Sequence, residues 1–218
     1  MRIVLVVHGF PPHERTGVET HVAALARALG RRGIEVEVFA PRKDVRTPEF
    51  AQRREARDGF HVTWITVNRI ARTAEERFAP PGMAEAFGEF LERVRPTLVH
   101  FHHVLKLGVG LLEETARRGL PSIYTAHDFF PVCERVILAR PDLERCSTLG
   151  DAHACARCDD AAAFLDARGR WSDWQAGVLP DSLSANERSE LAQLLRARDE
   201  TSANFETRVA LERRRKAA

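Results

Sequence analysis

The sequence lacks the features that mark membrane-spanning and secreted proteins. It has no apolar run approaching the roughly 20 residues that a helix needs to cross a bilayer. The apolar run at residues 3–7 is too short for the apolar region of a signal peptide, and the turn-rich sequence HGFPP follows it. We therefore expect a cytoplasmic protein. Peripheral contact with the inner face of the membrane stays open, because such contact needs only a surface patch.

The charged residues also show little excess of either sign. The chain has 33 Lys and Arg against 31 Asp and Glu, for a formal net charge of +2. A balance of this kind provides no strong positive field for nucleic acid, so a nucleic-acid partner is not expected. Hydrophobic residues make up 44% of the 218 residues, which is enough for one large domain or one domain with an extension.

A complete G-x-G-x-x-G fingerprint is missing, yet the first 40 residues have the pattern of a β-α-β unit. Residues 3–7 are apolar and rich in β-branched side chains, which predicts a strand buried on both faces. Thr16 stands three residues before Glu19, the spacing of a capping box at the start of a helix. Gly30 ends that helix, and a second strand is predicted at residues 36–39.

Strands and helices continue to alternate as far as residue 128. The pattern predicts strands at 61–67, 98–103 and 122–125 and helices at 83–94 and 107–118. Residues 42–58 are polar and highly charged, and we expect them to form a loop or an exposed helical excursion. The order β-α-β-β-α-β-α-β predicts the α/β class, with a Rossmann-like, doubly wound and mostly parallel sheet.

The first loop and helix are a candidate binding site, because ligands of such sheets bind beyond the carboxyl ends of the strands. The backbone amides of Gly17 and Val18 would lie at the positive end of the helix dipole, close to His8 and Gly9. A phosphate or a sugar hydroxyl would find hydrogen-bond donors there. The alternative is that Gly17 only allows tight packing of the helix on its strand.

Histidines are concentrated at the predicted strand ends. Five of the nine lie there: His8, His100, His102, His103 and His127. In a parallel sheet those ends share one edge, so several imidazoles would line one crevice, where they could donate, accept or carry charge. A structural role is the alternative for any single histidine. His102 and His127 are the strongest candidates, whereas His13, His21 and His61 are predicted to be ordinary surface residues.

The four cysteines are also clustered. They are Cys133, Cys146, Cys155 and Cys158. In a cytosolic chain the thiols stay reduced, so such clustering suggests a metal rather than disulfides. Four thiolates could close a structural zinc site, although the spacing is not that of a standard zinc finger. A redox-sensitive pair, or thiols without a special role, are the alternatives.

The pattern changes after residue 158. Helices are predicted at 161–165 and 183–198, and Ser184 with Glu187 has the spacing of a second capping box. Trp171 and Trp174 mark a turn expected to pack on the domain, and the final ten residues are expected to be a frayed basic tail. We therefore predict a Rossmann-like domain at 1–158, including a Cys-rich loop at 133–158, and a helical extension at 159–218.

Three segments of the chain resemble the N-terminal domain of a family 4 glycosyltransferase, a retaining enzyme with the two-domain GT-B fold. They are IVLVVHGFPPHERTGVETHVAALARALGRRGIEVEVFAP, RPTLVHFHH and LPSIYTAHDFFPVC. The resemblance covers about residues 1–205, and the trailing cysteines are similar to those of a subset of that family. The family usually has two glycines where this chain has Thr16 and Gly17.

The resemblance implies glycosyl transfer from a nucleotide sugar to a carbohydrate or lipid-linked acceptor, with no cofactor needed for the chemistry. His127 matches a histidine that faces the transferred sugar, and is the candidate catalytic residue. Gly17 matches the loop glycine near the donor phosphates, and the segment 100–103 matches the acceptor-side wall. The candidate substrate-binding residues are His8, Gly9, Gly17, Val18, His102, His103 and Asp128.

The E-x7-E motif of the family's donor domain has no counterpart after residue 160. We therefore expect an acceptor-binding half that is inactive alone and needs a donor domain in trans, on a separate chain, unless the chain is a truncated product. The alternative is a non-catalytic sugar-binding or zinc-stabilised interaction module. An unrelated dinucleotide enzyme is disfavoured, because Ala40-Pro41 stands where an acidic residue would bind the ribose.

Overall fold

The computed structural model describes residues 1–71, 74–133, 135–167, 183–196 and 203–217. The chain divides into two compact units, unit 1 (Met1–His127) and unit 2 (Asp128–Ala217). Within the described residues, no helix combines the length and apolarity that crossing a bilayer requires.

Unit 1 is a six-stranded sheet with helices. Its elements are β1 (Arg2–Val6), α1 (Gly17–Gly30), β2 (Glu35–Arg42), β3 (Gln52–Arg57), β4 (Phe60–Thr66), α2 (Ala74–Phe78), α3 (Met83–Val94), β5 (Leu98–Phe101), α4 (Gly110–Arg117) and β6 (Ser122–Tyr124). The strand order is β3-β4-β2-β1-β5-β6. All neighbouring strands are parallel except β3, which runs antiparallel to β4. This topology confirms the predicted Rossmann-like, mostly parallel sheet.

The central strands bury both of their faces, because alternate side chains point to opposite sides of a strand. On one face, Leu5 of β1 and Val38 of β2 belong to a core with Val22 and Ala26 of α1. On the other face, Phe39 of β2 lies against two phenylalanines of α3, with ring centroids 5.0 Å from Phe87 and 4.7 Å from Phe90. Helices therefore cover the sheet on both sides, as the continuous apolar runs of β1 and β2 predict.

The expectation of a loop or helical excursion at 42–58 is wrong, because β3 lies within that segment. This edge strand is held by polar contacts: Arg54 donates to both carboxylate oxygens of the buried Glu37, at 2.9–3.2 Å. The hydroxyl of Thr63 donates to the same carboxylate at 2.6 Å. A charged edge strand resists pairing with other chains, and such a strand lacks the apolar alternation that predicts a strand from sequence.

Close backbone packing fixes the last residue of α1. A Cβ atom at Gly30 would lie 2.3 Å from the carbonyl oxygen of Gly59, in the turn between β3 and β4. We expect Gly30→Ala to lower the free energy of unfolding by about 1–2 kcal/mol, because overpacking costs about 1–3 kcal/mol and the gain in helix propensity of up to about 1 kcal/mol offsets only part of it. Urea unfolding measures this change.

The matched control for that variant is Gly17→Ala, at the other end of the same helix. Apart from its chain neighbours and the backbone of α1 itself, no atom of the described residues lies within 4 Å of a Cβ built at Gly17. The control is therefore expected to be as stable as the wild type or slightly more stable. Equal unfolding free energies for Gly30→Ala and the wild type would contradict the close contact.

Unit 2 contains three helices among its described residues: α5 (Ala152–Ala167), α6 (Ala185–Arg196) and α7 (Ala203–Ala217). The second capping box is confirmed, since the amide of Ser184 donates to Glu187 at 2.9 Å and the amide of Glu187 donates to the Ser184 hydroxyl at 3.3 Å. Ala156 of α5 and Val209 of α7 share a small core. Trp171 and Trp174 lie outside the described residues.

Two expectations about unit 2 need correction. The final residues form a helix rather than a frayed tail, because α7 buries Val209 and Glu212, which are three residues apart on one helical face. Residues 133–158 are not one loop, because α5 begins at Ala152 and includes the last two cysteines. The carboxylate of Asp151 accepts hydrogen bonds from the amides of residues 153 and 154 and so caps that helix.

Candidate functional site

The carboxyl ends of β1, β5 and β6 meet at one edge of the sheet in unit 1. The amide of His102 donates to the carbonyl of Val6 at 2.9 Å, and the amide of Thr125 donates to the carbonyl of Phe101 at 2.9 Å. The chain beyond each of these strands is thereby held next to its neighbours. Because α1 follows the loop after β1, the first turn of α1 also lies on this side of the sheet.

Four imidazoles form a histidine cluster at this edge: His21, His100, His102 and His127. Nδ1 of His102 lies 3.1 Å from Nε2 of His127, so one ring donates to the other. The rings of His100 and His102 have centroids 4.1 Å apart, and the ring of His21 lies 5.6 Å from His102 and 5.0 Å from His127. His102 is fully buried, whereas His21 is exposed. The structure thus brings His102 and His127 together, as the topology predicts.

His21 is exposed, as predicted, but its ring also lies against the rings of His102 and His127. His21 lies on α1 four residues after Gly17, which places both residues on the same face of the helix. That spacing is the signal in the sequence that could have identified it. His100 is tied to the same edge, since its Nε2 lies 2.8 Å from the hydroxyl oxygen of Thr125.

Burial keeps the deepest imidazoles neutral. The pKa of His102 is lowered to about 3, first by burial and then by the charges that His100, His127 and His21 would carry. Burial also lowers the pKa of His100, with smaller contributions from His21 and His127. A neutral imidazole presents one donor and one acceptor nitrogen, so these rings can bind hydroxyl groups at neutral pH.

A second group lies beside the histidine cluster, formed by His8, His103 and Glu19. The rings of His8 and His103 have centroids 4.3 Å apart. Nε2 of His8 lies 3.1 Å from Oε1 of the fully buried Glu19, in a contact that lacks hydrogen-bond geometry. Burial lowers the pKa of His8, as does His103, while Glu19 opposes both effects. The structure therefore places His8 and His103 together.

Glu19 has two roles, of which only one could be predicted. Its carboxylate accepts hydrogen bonds from the amide of Thr16, at 2.8 Å, and from the Thr16 hydroxyl, which completes the predicted capping box. Burial alone would raise the pKa of Glu19, but these hydrogen bonds and the backbone amide of Glu19 outweigh that effect and lower it. The same carboxylate faces His8, so the cap of α1 also contacts a candidate site residue.

The two glycines of the predicted loop site differ in their surroundings. A Cβ at Gly9 would lie 2.2 Å from Oε2 of Glu14, so Gly9 allows a close internal contact. A Cβ at Gly17 would meet no described atom within 4 Å other than those of its chain neighbours and of the α1 backbone. Packing within the described part of the chain therefore gives no reason for a glycine at position 17. Val18, the next residue, is partly buried and packs against the hydrophobic core that β1, β2 and α1 share.

Asp128 belongs to unit 2, where its carboxylate accepts a hydrogen bond from the amide of Phe130 at 2.8 Å. This bond stabilises the turn that follows β6. A substrate contact of Asp128 stays a prediction.

The four cysteines line one cavity of about 110 Å³ in unit 2, and all four are reduced. Arg135, Arg140 and Arg157 line it as well. Burial raises the pKa of the Cys158 thiol to about 12, although the neighbouring Arg135 opposes this rise.

The sulfurs are not arranged as a preformed zinc site. Among the described residues, no three of these sulfurs lie within 4.8 Å of one another. Zinc–sulfur bonds of about 2.3 Å would hold them about 3.8 Å apart. Zinc at the cysteines therefore stays a prediction, which requires the sulfurs to move towards the centre of the cavity.

The fold and the edge described above define a Rossmann-like α/β domain with a candidate ligand site beyond the carboxyl ends of its strands. The family model of Glycosyltransferase Family 4 matches residues 15–159, about two thirds of the chain, and the chain belongs to this family. The matched residues include α1, His102 and His127.

Curated relatives agree with this assignment. The chain is 28% identical over 177 residues to a D-inositol 3-phosphate glycosyltransferase of Actinosynnema mirum, a match that covers 75% of this chain and 41% of the relative. It is 27% identical over 173 residues to the enzyme of the same name from Salinispora arenicola, covering 73% of this chain and 37% of the relative. The chain thus spans about two fifths of the length of these relatives.

A solved structure from E. coli, described as trehalose-6-phosphate bound with UDP-2-fluoro glucose, has a TM-score of 0.39 and 10% identity to this chain. The match covers 66% of this chain and 35% of the other. A likeness of this size carries no argument about fold or function.

Proposed function

We propose that this chain forms the acceptor-side half of a retaining glycosyltransferase, which transfers a sugar from a nucleotide donor to a hydroxyl group of its acceptor. The observation that carries the proposal is the pairing of His102 with His127 at the edge of the sheet where the first turn of α1 also lies. Membership of the family supports the reaction class. The role of His127 rests on its position in the sequence TAHD.

In this proposal, the open space at Gly17 receives the donor phosphates. The amides of Gly17 and Val18 belong to the first turn of α1, where the backbone groups and the helix dipole favour an anion. A side chain at position 17 would occupy this space. The capping box between Thr16 and Glu19 holds the turn in place before any ligand arrives.

His127 would contact the transferred sugar and stabilise the reacting geometry. Its hydrogen bond to the buried His102 orients the ring and restricts its tautomer. The low pKa of His102 keeps this imidazole uncharged, so it does not repel a positive charge on the ring of His127. Catalysis would then come mainly from positioning and from electrostatic stabilisation of the leaving diphosphate.

The donor-binding domain and the acceptor are further parts of the proposal. The chain spans about two fifths of the length of its relatives. The proposal therefore assigns nucleotide-sugar binding to a domain outside these 218 residues, either in the same protein or on a separate chain. The names of these relatives make D-inositol 3-phosphate the first acceptor to test.

The proposal predicts that the 218-residue chain binds acceptor but transfers no sugar alone. We expect D-inositol 3-phosphate to give saturable binding in calorimetry, and transfer to begin only when a donor domain of a family 4 enzyme is added with its nucleotide sugar. Robust transfer by the isolated chain would contradict the half-site. If the chain binds the acceptor but no donor domain produces transfer, the result favours a non-catalytic sugar-binding module. If the chain neither binds the acceptor nor supports transfer, the proposal is refuted.

We also propose that the cavity in unit 2 takes a structural zinc ion bound by Cys133, Cys146, Cys155 and Cys158. The support is the donor set, since four thiols line one cavity. We expect about one zinc per chain that Cys133→Ser removes, measured by elemental analysis of protein purified without affinity-tag metals. A wild-type protein without zinc would refute a cysteine site, and so would a zinc content that is the same in Cys133→Ser and in the wild type.

A further inference from the structure

We propose that His21, His102 and His127 form a binding site for a divalent transition cation such as Zn²⁺. Each residue comes from a different part of unit 1: His21 from α1, His102 from the end of β5, and His127 from the segment after β6. One ring nitrogen from each lies within 4.8 Å of the other two. The site is thus assembled by the fold and not by a local sequence motif.

The distances suit coordination by imidazoles. Nδ1 of His102 and Nε2 of His127 lie 3.1 Å apart. Two nitrogens bound to one tetrahedral zinc at about 2.0–2.1 Å would be about 3.3 Å apart, so the spacing of these two nitrogens fits one ion once the rings turn until both lone pairs point at it. The exposed ring of His21 needs only a change of side-chain conformation to approach.

The chemistry of the group favours a borderline transition metal. Three imidazoles and no carboxylate suit Zn²⁺, Ni²⁺ or Cu²⁺ and not Mg²⁺ or Ca²⁺, which prefer oxygen ligands. Three histidines leave one position for water or another ligand. His102 is fully buried, and its Nε2 has no hydrogen-bond partner in the described part of the chain, so no hydrogen bond on that side holds the ring in its present orientation.

A second set of ligands in unit 1 is less suitable. His8, Glu14 and Glu19 also have ligand atoms within 4.8 Å of one another. Glu14, however, already binds the ammonium of Lys106 at 2.7 Å, and Glu19 accepts the capping hydrogen bonds of Thr16. The cap of α1 uses Oε2 of Glu19 and leaves Oε1 without a hydrogen bond from any described residue, so a cation there would compete only with the ammonium of Lys106 for Glu14. That competing ion pair makes this group the weaker candidate.

Binding at this site would have a regulatory consequence, which rests on the proposed function. Because His127 is the residue proposed to face the transferred sugar, an ion bound to it would exclude the sugar. Zn²⁺ and the substrate would therefore compete, and the metal would inhibit transfer. Metal binding itself requires only unit 1 and can be measured without any transfer.

The test is calorimetric titration of Zn²⁺ into the metal-free 218-residue chain, comparing wild type, His21→Gln and His61→Gln. His21 is exposed, so its variant is expected to fold, and His61 on β4 lies outside the histidine cluster. We expect His21→Gln to weaken one Zn²⁺ site by at least about 100-fold, since even an outer-shell partner contributes 10–100-fold. We expect His61→Gln to bind as the wild type does.

A second measurement separates this site from the cysteines. Zn²⁺ should shift the imidazole NMR signals of His21, His102 and His127 and leave that of His61 unchanged. Equal binding by His21→Gln and wild type, or Zn²⁺ binding without these shifts, would overturn the proposal. If the transferase proposal fails, Zn²⁺ should still shift these three signals. If the chain supports transfer but Zn²⁺ shifts none of the three signals, only the metal site is refuted.

Discussion

Phe39→Ala is expected to lower the free energy of unfolding of unit 1 by about 3–5 kcal/mol, the usual cost of removing a buried aromatic ring. Phe39 is fully buried at the centre of the sheet. Its ring lies 5.0 Å from Phe87 and 4.7 Å from Phe90, so the substitution would leave a cavity between β2 and α3. Neither ring of α3 can fill that space without leaving its own contact, because these two rings also stack on each other at 5.7 Å.

Native-state hydrogen exchange of the β1 and β2 amides is the suitable measurement, because it reports the opening of unit 1 separately from unit 2. Phe129→Ala is the matched control. The ring of Phe129 is 49% exposed and lies in unit 2, so the control should leave exchange in β1 and β2 unchanged. A loss of less than about 1 kcal/mol for Phe39→Ala would show that α3 does not pack on the sheet through this ring.

The parts of the fold that the sequence predicts well are those with strong local signals. The buried run of β1 and the capping box of α1 together determine where the first strand ends and where the first helix begins. The strand β3 carries no such signal, because its charged residues are stable in a strand only through the partners that the fold supplies. Arg54 finds the buried Glu37 only once β2 and β4 are side by side.

The candidate site was predictable to the extent that topology alone determines it. A parallel sheet brings the carboxyl ends of its strands to one edge, and this rule places His102 with His127 without any knowledge of distances. It gives no information about helix α1, whose rotation decides which residues face the edge. The second role of Glu19 therefore became visible only in three dimensions, whereas the spacing of His21 four residues after Gly17 was a sequence signal that the prediction did not use.

The cysteines illustrate a different limit. Their closeness along the chain correctly suggested one shared location, and they line one cavity. Sequence spacing gives no distance between the sulfurs, however, because Cys133 and Cys146 lie on irregular chain whereas Cys155 and Cys158 lie on α5. The choice between a metal ligand and an ordinary thiol therefore depends on how far the cavity can contract.

His127→Ala is expected to lower kcat of sugar transfer by about 100–1000-fold, the usual loss when one preorganised polar group is removed from a transition state. The assay combines the chain with a donor domain, nucleotide sugar and acceptor. KM for the acceptor should change little, because His127 is proposed to face the transferred sugar. His61→Ala is the control, since His61 lies on β4 away from the cluster, and its kcat should match the wild type.

Loss of the His127 ring also removes the hydrogen-bond partner of the buried His102 nitrogen, which could lower stability by about 1–3 kcal/mol. His127→Gln separates the two effects, because an amide can still bond to His102 but cannot reproduce the position of the imidazole. We expect this variant to regain stability without regaining kcat. Wild-type kcat in both variants would show that the ring only supports the fold, and that the transferred sugar meets a different residue at this edge of the sheet.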